Sequence, residues 1–302
     1  MRIPDIVLIG PVTDVSGVAE VNRNLFLALD KLGVKVRLIE PGGWSIHKAD
    51  LNPELRDKIN DGLSRNDLRD PSVIHSYQPH SMQGMPIIDK AKVNVTYTVF
   101  ETDKVPFVWK GLLNSEFIAE NWVPFNFLAT AYGNSGIDKN KIKVMPYGVD
   151  TDRFSPNGPE LNLGERKGFR FITAFDWSPR KNPNAILNAF LQEFANDEDV
   201  ELVVKSYMGN ADDNTKEKIR NDIKNLKAIN RSNKSIKLIT DFIHEDSIAS
   251  FHRSGDCWIN LSRGEGFDLG SIQSMACGVP VVASANTAHN EYMTNADSYL
   301  VR

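Results

Sequence analysis

The sequence predicts an α/β protein built from two doubly wound parallel sheets. Three observations carry that expectation. Short apolar runs alternate with helical patterns from end to end, most of the runs are continuously apolar rather than alternating, and one irregular stretch divides the chain near its middle. Continuous apolar strands belong to parallel sheets covered on both faces. The first half offers DIVLIG (5–10), VKVRLIE (34–40), SVIHSY (72–77), NVTYTVF (94–100), EFIAENWV (116–123) and KIKVMPYG (141–148). The second offers FRFITAF (169–175), ELVVKSY (201–207), IKLITDF (236–242), CWINLS (257–262) and VPVVAS (279–284).

Between the first two runs, Val21, Leu25, Leu27, Leu29 and Leu32 roughly follow helical spacing, and Gly33 is a stop signal. The stretch 150–168, DTDRFSPNGPELNLGERKG, is rich in Pro, Gly, Asn and charge and has no sustained period. It reads as a linker, which sets the expected domains at 1–155 and 166–302. Strong repeats and low-complexity segments are absent.

Composition narrows the function classes. The 302 residues are 41% hydrophobic and 25% charged, with a net charge of −4. No basic run points to nucleic acid. Two cysteines, Cys257 and Cys277, make no disulfide framework and fit a reducing cytosol. The opening MRIPDIVLIGPV carries an acid inside a short apolar run, which suits a first strand better than a secretory signal. With no apolar run of about 18 residues, no membrane span is expected, although peripheral membrane contact stays open.

Ligands of open α/β sheets bind beyond the carboxyl ends of the strands, so the residues after each strand are the ones to inspect. In FDWSPRKNPNAILNAF (175–190), Asn182 and Pro183 read as an N-cap and a first-turn proline. Arg180 and Lys181 precede them. Two cations at a helix start oppose the dipole unless an anion binds there; the alternative is a solvated basic loop. Lys205 ends its strand at the same rim and adds to the case for a diphosphate-sized ligand.

CWINLS leads into RGEGFDLG, and a short helix is expected from about Ser271 to Gly278. Glu265 then lies in the loop and Gln273 in the first helical turn. Glu265 has the chemistry to accept two sugar hydroxyls, and the uncharged Gln273 to accept one; an exposed Glu in a glycine-rich turn is the plain alternative. IGPVTDVSGVAEV joins the first strand to a helix opened by Ser16 or Gly17, a place for a phosphate or an acceptor. It lacks GxGxxG, and Glu40 alone is a weak dinucleotide hint, which disfavours a dehydrogenase. Glu101 in TVFETDKVP follows a strand and is either a base or acceptor partner, or a helix-start acid. His75 and His80 have poor metal spacing and are expected as structural or substrate-contacting residues; no metal site is expected.

GEGFDLGSIQSMACGVPVVAS, with RKNP before a helix, VMPYGVDTDRFSP, and FETDKVP followed by NWVPFNF, resembles the retaining glycosyltransferases called group 1 or family 4. Their signature is Glu-x7-Glu within a pattern like EGFGLPxLEAMACGxPVVAS. The resemblance covers nearly the whole chain. It implies the GT-B fold, two Rossmann-like domains facing a cleft, with an acceptor-side first domain and a donor-binding second one. It implies transfer of a sugar from a nucleotide-diphosphate sugar, such as a GDP- or UDP-sugar, to a hydroxyl acceptor (glycan, lipid-linked or other). Configuration would be retained, with no covalent enzyme intermediate, no metal and no further cofactor.

By the same resemblance, Glu265 holds the donor sugar's hydroxyls and Gln273 the ribose. Lys181 grips the diphosphate, with Arg180 beside it. Phe267, Asp268, Leu269 and on to Ser271 offer backbone N–H groups, Gly17 lies near the diphosphate, and Glu101 is a catalytic carry-over. The chain departs from the pattern in having Gln273 for Glu, Asp176 where relatives have an arginine, and Asp268 where Gly is common. It also stops at Arg302, where relatives continue through further helices, so a short or truncated second domain is expected. A glycoside hydrolase is disfavoured because Gln273 cannot serve as acid or base. A nucleotide-sugar-binding protein without turnover is the alternative that Gln273 and the short C-terminus favour.

Overall fold

The computed structural model describes residues 4–41, 46–82, 91–195 and 199–302. The chain divides into two compact units, Met1–Gly148 and Val149–Arg302.

Along the first unit run β1 (Ile6–Ile9), α1 (Gly17–Lys31), β2 (Val36–Ile39), α2 (Pro53–Ser64), β3 (Ser72–His75), β4 (Asn94–Tyr97), α3 (Lys110–Leu113), β5 (Glu120–Val123), α4 (Asn126–Asn134) and β6 (Ile142–Val144). The sheet order is β2-β1-β3-β4-β5-β6, parallel throughout. Period-two alternation sends Leu8, Leu38 and Ile74 into one core with Phe26 of α1 and Ile59 of α2. Val7, Ile9 and Val73 enter the opposite core with Tyr77 and Ile118. α1 differs in its face from the spacing expected. Phe26 is the deeply buried residue, and Leu32 is 70% exposed because the helix ends at Lys31 and Gly33 turns the chain with φ +74°.

In the second unit come β7 (Phe169–Asp176), α5 (Pro183–Glu193), β8 (Val200–Tyr207), α6 (Asp213–Ile229), β9 (Ile236–Ile239), α7 (Ile248–Arg253), β10 (Cys257–Asn260), α8 (Leu269–Ala276), β11 (Val281–Ser284), α9 (His289–Tyr292) and β12 (Tyr299–Val301). The order is β12-β11-β10-β7-β8-β9, again all parallel. On one face α5 and α6 bring Phe190, Leu191 and Ile219 against Leu202 and Val204. On the other, Phe251 and Cys277 pack with Val203 and Trp258. β12 was not among the expected strands; at three residues it is too short to show a period.

The stretch 150–168 is anchored rather than free. Phe154 is buried in the second unit's core, Leu161 N–H donates to Ser250 O at 2.9 Å, and Arg153 pairs with Glu245 at 2.9 Å. No described helix is long and apolar enough to cross a membrane. Both cysteines are buried free thiols.

Candidate functional site

In the second unit the chain leaves β7 toward β8 by way of α5, on one face. It leaves β10 toward β11 by way of α8, on the other. The strand order therefore switches between β7 and β10, and a crevice opens there at their carboxyl ends. The β7–α5 and β10–α8 loops meet in it. Arg263 N–H donates to Arg180 O at 2.8 Å, and Asn182 Nδ2 donates to Leu261 O at 3.1 Å. Arg180 Nη1 donates to Gly264 O at 2.8 Å and lies 3.0 Å from Glu265 Oε2, while Lys181 Nζ lies 2.6 Å from Glu265 Oε1. Glu265 is 4% exposed, so its carboxylate is desolvated and held between two cations. The exposed Glu in a glycine-rich turn is thereby excluded.

Asn182 occupies the N-cap position but not as expected. It stands at φ +56° with no side-chain cap, because its amide is spent on the neighbouring loop. α8 begins at Leu269, two residues earlier than expected, which puts Gln273 a full turn into the helix. Gly270 allows this start: a Cβ there would sit 2.5 Å from the Trp258 ring.

The far side of the loop is fastened by residues that sequence reasoning missed. Glu265 N–H donates to Thr287 Oγ1 at 2.9 Å, and Asn286 Nδ2 donates to Ser262 O at 3.1 Å. His289 Nε2 lies 2.8 Å from Asp268 Oδ2, and its Nδ1 lies 2.8 Å from Ser284 O. Both partners are acceptors, so both ring nitrogens carry protons and His289 is an imidazolium. Burial works against that charge, but the Asp268 carboxylate outweighs it and raises the His289 pKa. Burial likewise opposes ionisation of Asp268, and His289 holds its pKa down nonetheless. The acid at 268 thus faces a histidine. The signal lay in ANTAHNEY, which follows the strand VPVVAS at the same rim.

Gln273 is buried and hydrogen-bonds the ring of His252, which also meets Ser274 Oγ at 2.7 Å. Burial pushes the His252 pKa down to about 4, so this ring is neutral. The Phe267 ring is buried and stacks near Tyr292. Lys205 stands on β8 and reaches over Tyr207 and Phe242.

On the first unit, Gly17 is the exposed first residue of α1, capped by Ser16, whose Oγ accepts from Ala19 N–H at 3.1 Å. Glu40 is no ribose ligand here: it accepts from Val12 N–H and Thr13 N–H, each at 3.0 Å, and clamps the β1–α1 loop. Glu101 is half-buried in the loop after β4. His75 is fully buried against Asn94, as a structural histidine would be, while the exposed His80 accepts from Trp109 Nε1 at 3.3 Å. Among the described residues no group of His, Cys, Asp and Glu converges as a metal site.

Residues 166–302 match the family model described as Glycosyl transferases group 1. The matched residues all lie within the second unit. Over 155 residues, half of this chain, the sequence is 26% identical to the D-inositol 3-phosphate glycosyltransferase of Geodermatophilus obscurus, and that match spans 34% of the relative's length. In fold, the whole chain resembles the Anabaena protein HepE, crystallised with UDP and glucose. The TM-score is 0.70 at 14% identity, covering 99% of this chain and 86% of HepE. A glycosyltransferase of Rickettsia africae gives 0.70 at 17% identity, over 100% and 85%. With these neighbours, the two parallel sheets and their covering helices define the GT-B fold class.

Proposed function

We propose that the protein is a retaining glycosyltransferase that moves a sugar from a nucleoside-diphosphate sugar to a hydroxyl acceptor without a metal ion. The observation that carries this reading is the convergence of Arg180, Lys181 and Glu265 at the switch point of the second unit. HepE, which shares the fold, was crystallised with UDP-glucose. Three charges are fixed there before any ligand arrives, and such preorganisation stabilises charge that develops on a leaving group.

As the glycosidic bond breaks, the diphosphate takes the bonding electrons and gains negative charge. Lys181 and Arg180 take up that charge, so no metal is needed. Glu265 accepts hydrogen bonds from the donor sugar's hydroxyls, Gln273 serves the ribose, and the Phe267–Leu269 backbone serves the sugar or phosphate. The acceptor oxygen bonds to the anomeric carbon on the face the diphosphate leaves and passes its proton to a departing phosphate oxygen, so the configuration is kept. Gly17 and Glu101, on the first unit, take their roles toward the diphosphate and the acceptor from the family resemblance. The acceptor is a glycan, a lipid-linked sugar or another hydroxyl compound.

Calorimetric titration with a panel of nucleotide sugars tests the reading, with Lys181→Ala beside wild type. One donor should bind, and the substitution should weaken it at least about tenfold, roughly 1.4 kcal/mol. A folded chain that binds no donor refutes it. A second reading, binding without transfer, is favoured by one observation: Gln273 is already engaged by His252. Donor binding without transfer or donor hydrolysis across an acceptor panel would select it.

A further inference from the structure

Lys205 is a feature of the second unit that the charges around Glu265 do not explain. It is half-buried, yet among the described residues no carboxylate pairs with it. The nearby Asp241 is taken by Lys216 at 3.3 Å. Instead, Lys205 Nζ lies 5.1 Å from the centroid of the Tyr207 ring and 4.7 Å from that of Phe242. Two ring faces attract a cation but replace only part of its hydration, and burial lowers the Lys205 pKa to about 8. An ammonium that is half-buried between two rings with no carboxylate bonded to it is available to an acceptor at the rim.

Position says what the acceptor is. Lys205 aligns with Ala174 on β7 and with Ile239 on β9. Trp258 aligns with Ile172, which puts Asn260, two residues on, in the row of Ala174. Asn260, Ala174 and Lys205 thus share a face, and Lys205 lies two strands, about 10 Å, from the start of the loop carrying Glu265. Ala174, between them, carries only a methyl group and is partly buried against the core on that face. Both rings stand at strand ends, Tyr207 closing β8 and Phe242 following β9, so the amine points to the carboxyl rim. On the donor reading the diphosphate is met at Arg180 and Lys181, which leaves another part of the donor for Lys205. A flat heterocycle with a neutral oxygen acceptor suits all three side chains.

Building on the proposed donor reading, we infer that Lys205 is a specificity residue that donates to a carbonyl oxygen of the nucleobase while Tyr207 and Phe242 contact its face. The diphosphate lies at Arg180 and Lys181, and the base lies one ribose away along the strand ends. Bases with a ring carbonyl are selected over adenine, which has none.

The test is a titration of wild type and Lys205→Met with UDP, GDP, ADP and inorganic pyrophosphate. Methionine fills the aromatic cage without a donor, and thermal melting checks that the variant is folded; if it is not, Lys205→Leu replaces it. Wild type should prefer UDP or GDP to ADP by at least tenfold. The variant should lose about tenfold for the preferred nucleotide and stay within twofold of wild type for ADP and pyrophosphate. An equal loss for all four, or no loss at all, overturns the role in base selection while leaving the donor site standing. If wild type binds no nucleoside diphosphate, the donor reading falls and this inference falls with it.

Discussion

Lys181 Nζ and Glu265 Oε1 are joined across two loops at 2.6 Å, and Glu265 also holds Arg180. The loop carrying the acid and the loop carrying the cations therefore set each other's geometry. Removing either charge has two effects, one on binding and one on the fold.

Lys181→Ala should lower the unfolding free energy by about 1.5–3 kcal/mol, the ordinary worth of a hydrogen bond to a charged group. Glu265 keeps Arg180, so the loss should stay below that of a fully orphaned buried carboxylate. Denaturant unfolding checks this; an unchanged midpoint would mean that the pair contributes nothing in solution.

His252 and His289 should titrate on opposite sides of the ordinary histidine value. His252 should stay neutral until about pH 4, and His289 should stay charged above pH 6.5. His252 therefore costs stability as the pH falls from 6.5 to about 4, because only the unfolded chain takes up that proton there. Ring chemical shifts followed by NMR give both values directly. Coincident titrations near 6.5 would contradict the burial of one and the pairing of the other.

Gln273→Glu should raise the His252 pKa by a unit or more, because a carboxylate would then face the ring. The same NMR titration reads it. No movement would place residue 273 away from His252 in solution.

Asp268→Asn should cost most stability in mildly acidic solution. His289 has a raised folded pKa, so its contribution is full below the unfolded value of about 6.5 and is lost as the pH rises through the folded value. The variant's stability should approach wild type in alkaline buffer. A deficit independent of pH would mean that Asp268 acts through its hydrogen bonds rather than its charge.

Much of the fold was legible because the eleven apolar runs are long enough and punctuated enough to declare themselves. Each contains an observed strand. Where the reading slipped, a long-range partner had overridden a local rule. Asn182 looks like a cap, but its amide has a better partner in Leu261 O, seventy-nine residues away. Glu40, only a weak dinucleotide hint in the sequence, is spent on the amides of Val12 and Thr13. The loop pair around Glu265 was visible as two separate motifs, and strand order alone brought them together. His289 and Thr287 sat in ANTAHNEY after a strand at the right rim, but their partners show only once β11 is placed beside β10.

Both thiols lie in the second unit, at the start of β10 and just after α8, and the first unit has no cysteine. Burial pushes the Cys257 thiol up to about 11 and raises that of Cys277 as well, so neither reacts readily while folded. The chain thus carries its own reporter. The rate at which an alkylating reagent marks it measures the opening of the second unit alone, and a nucleotide that slows the marking has bound to that half.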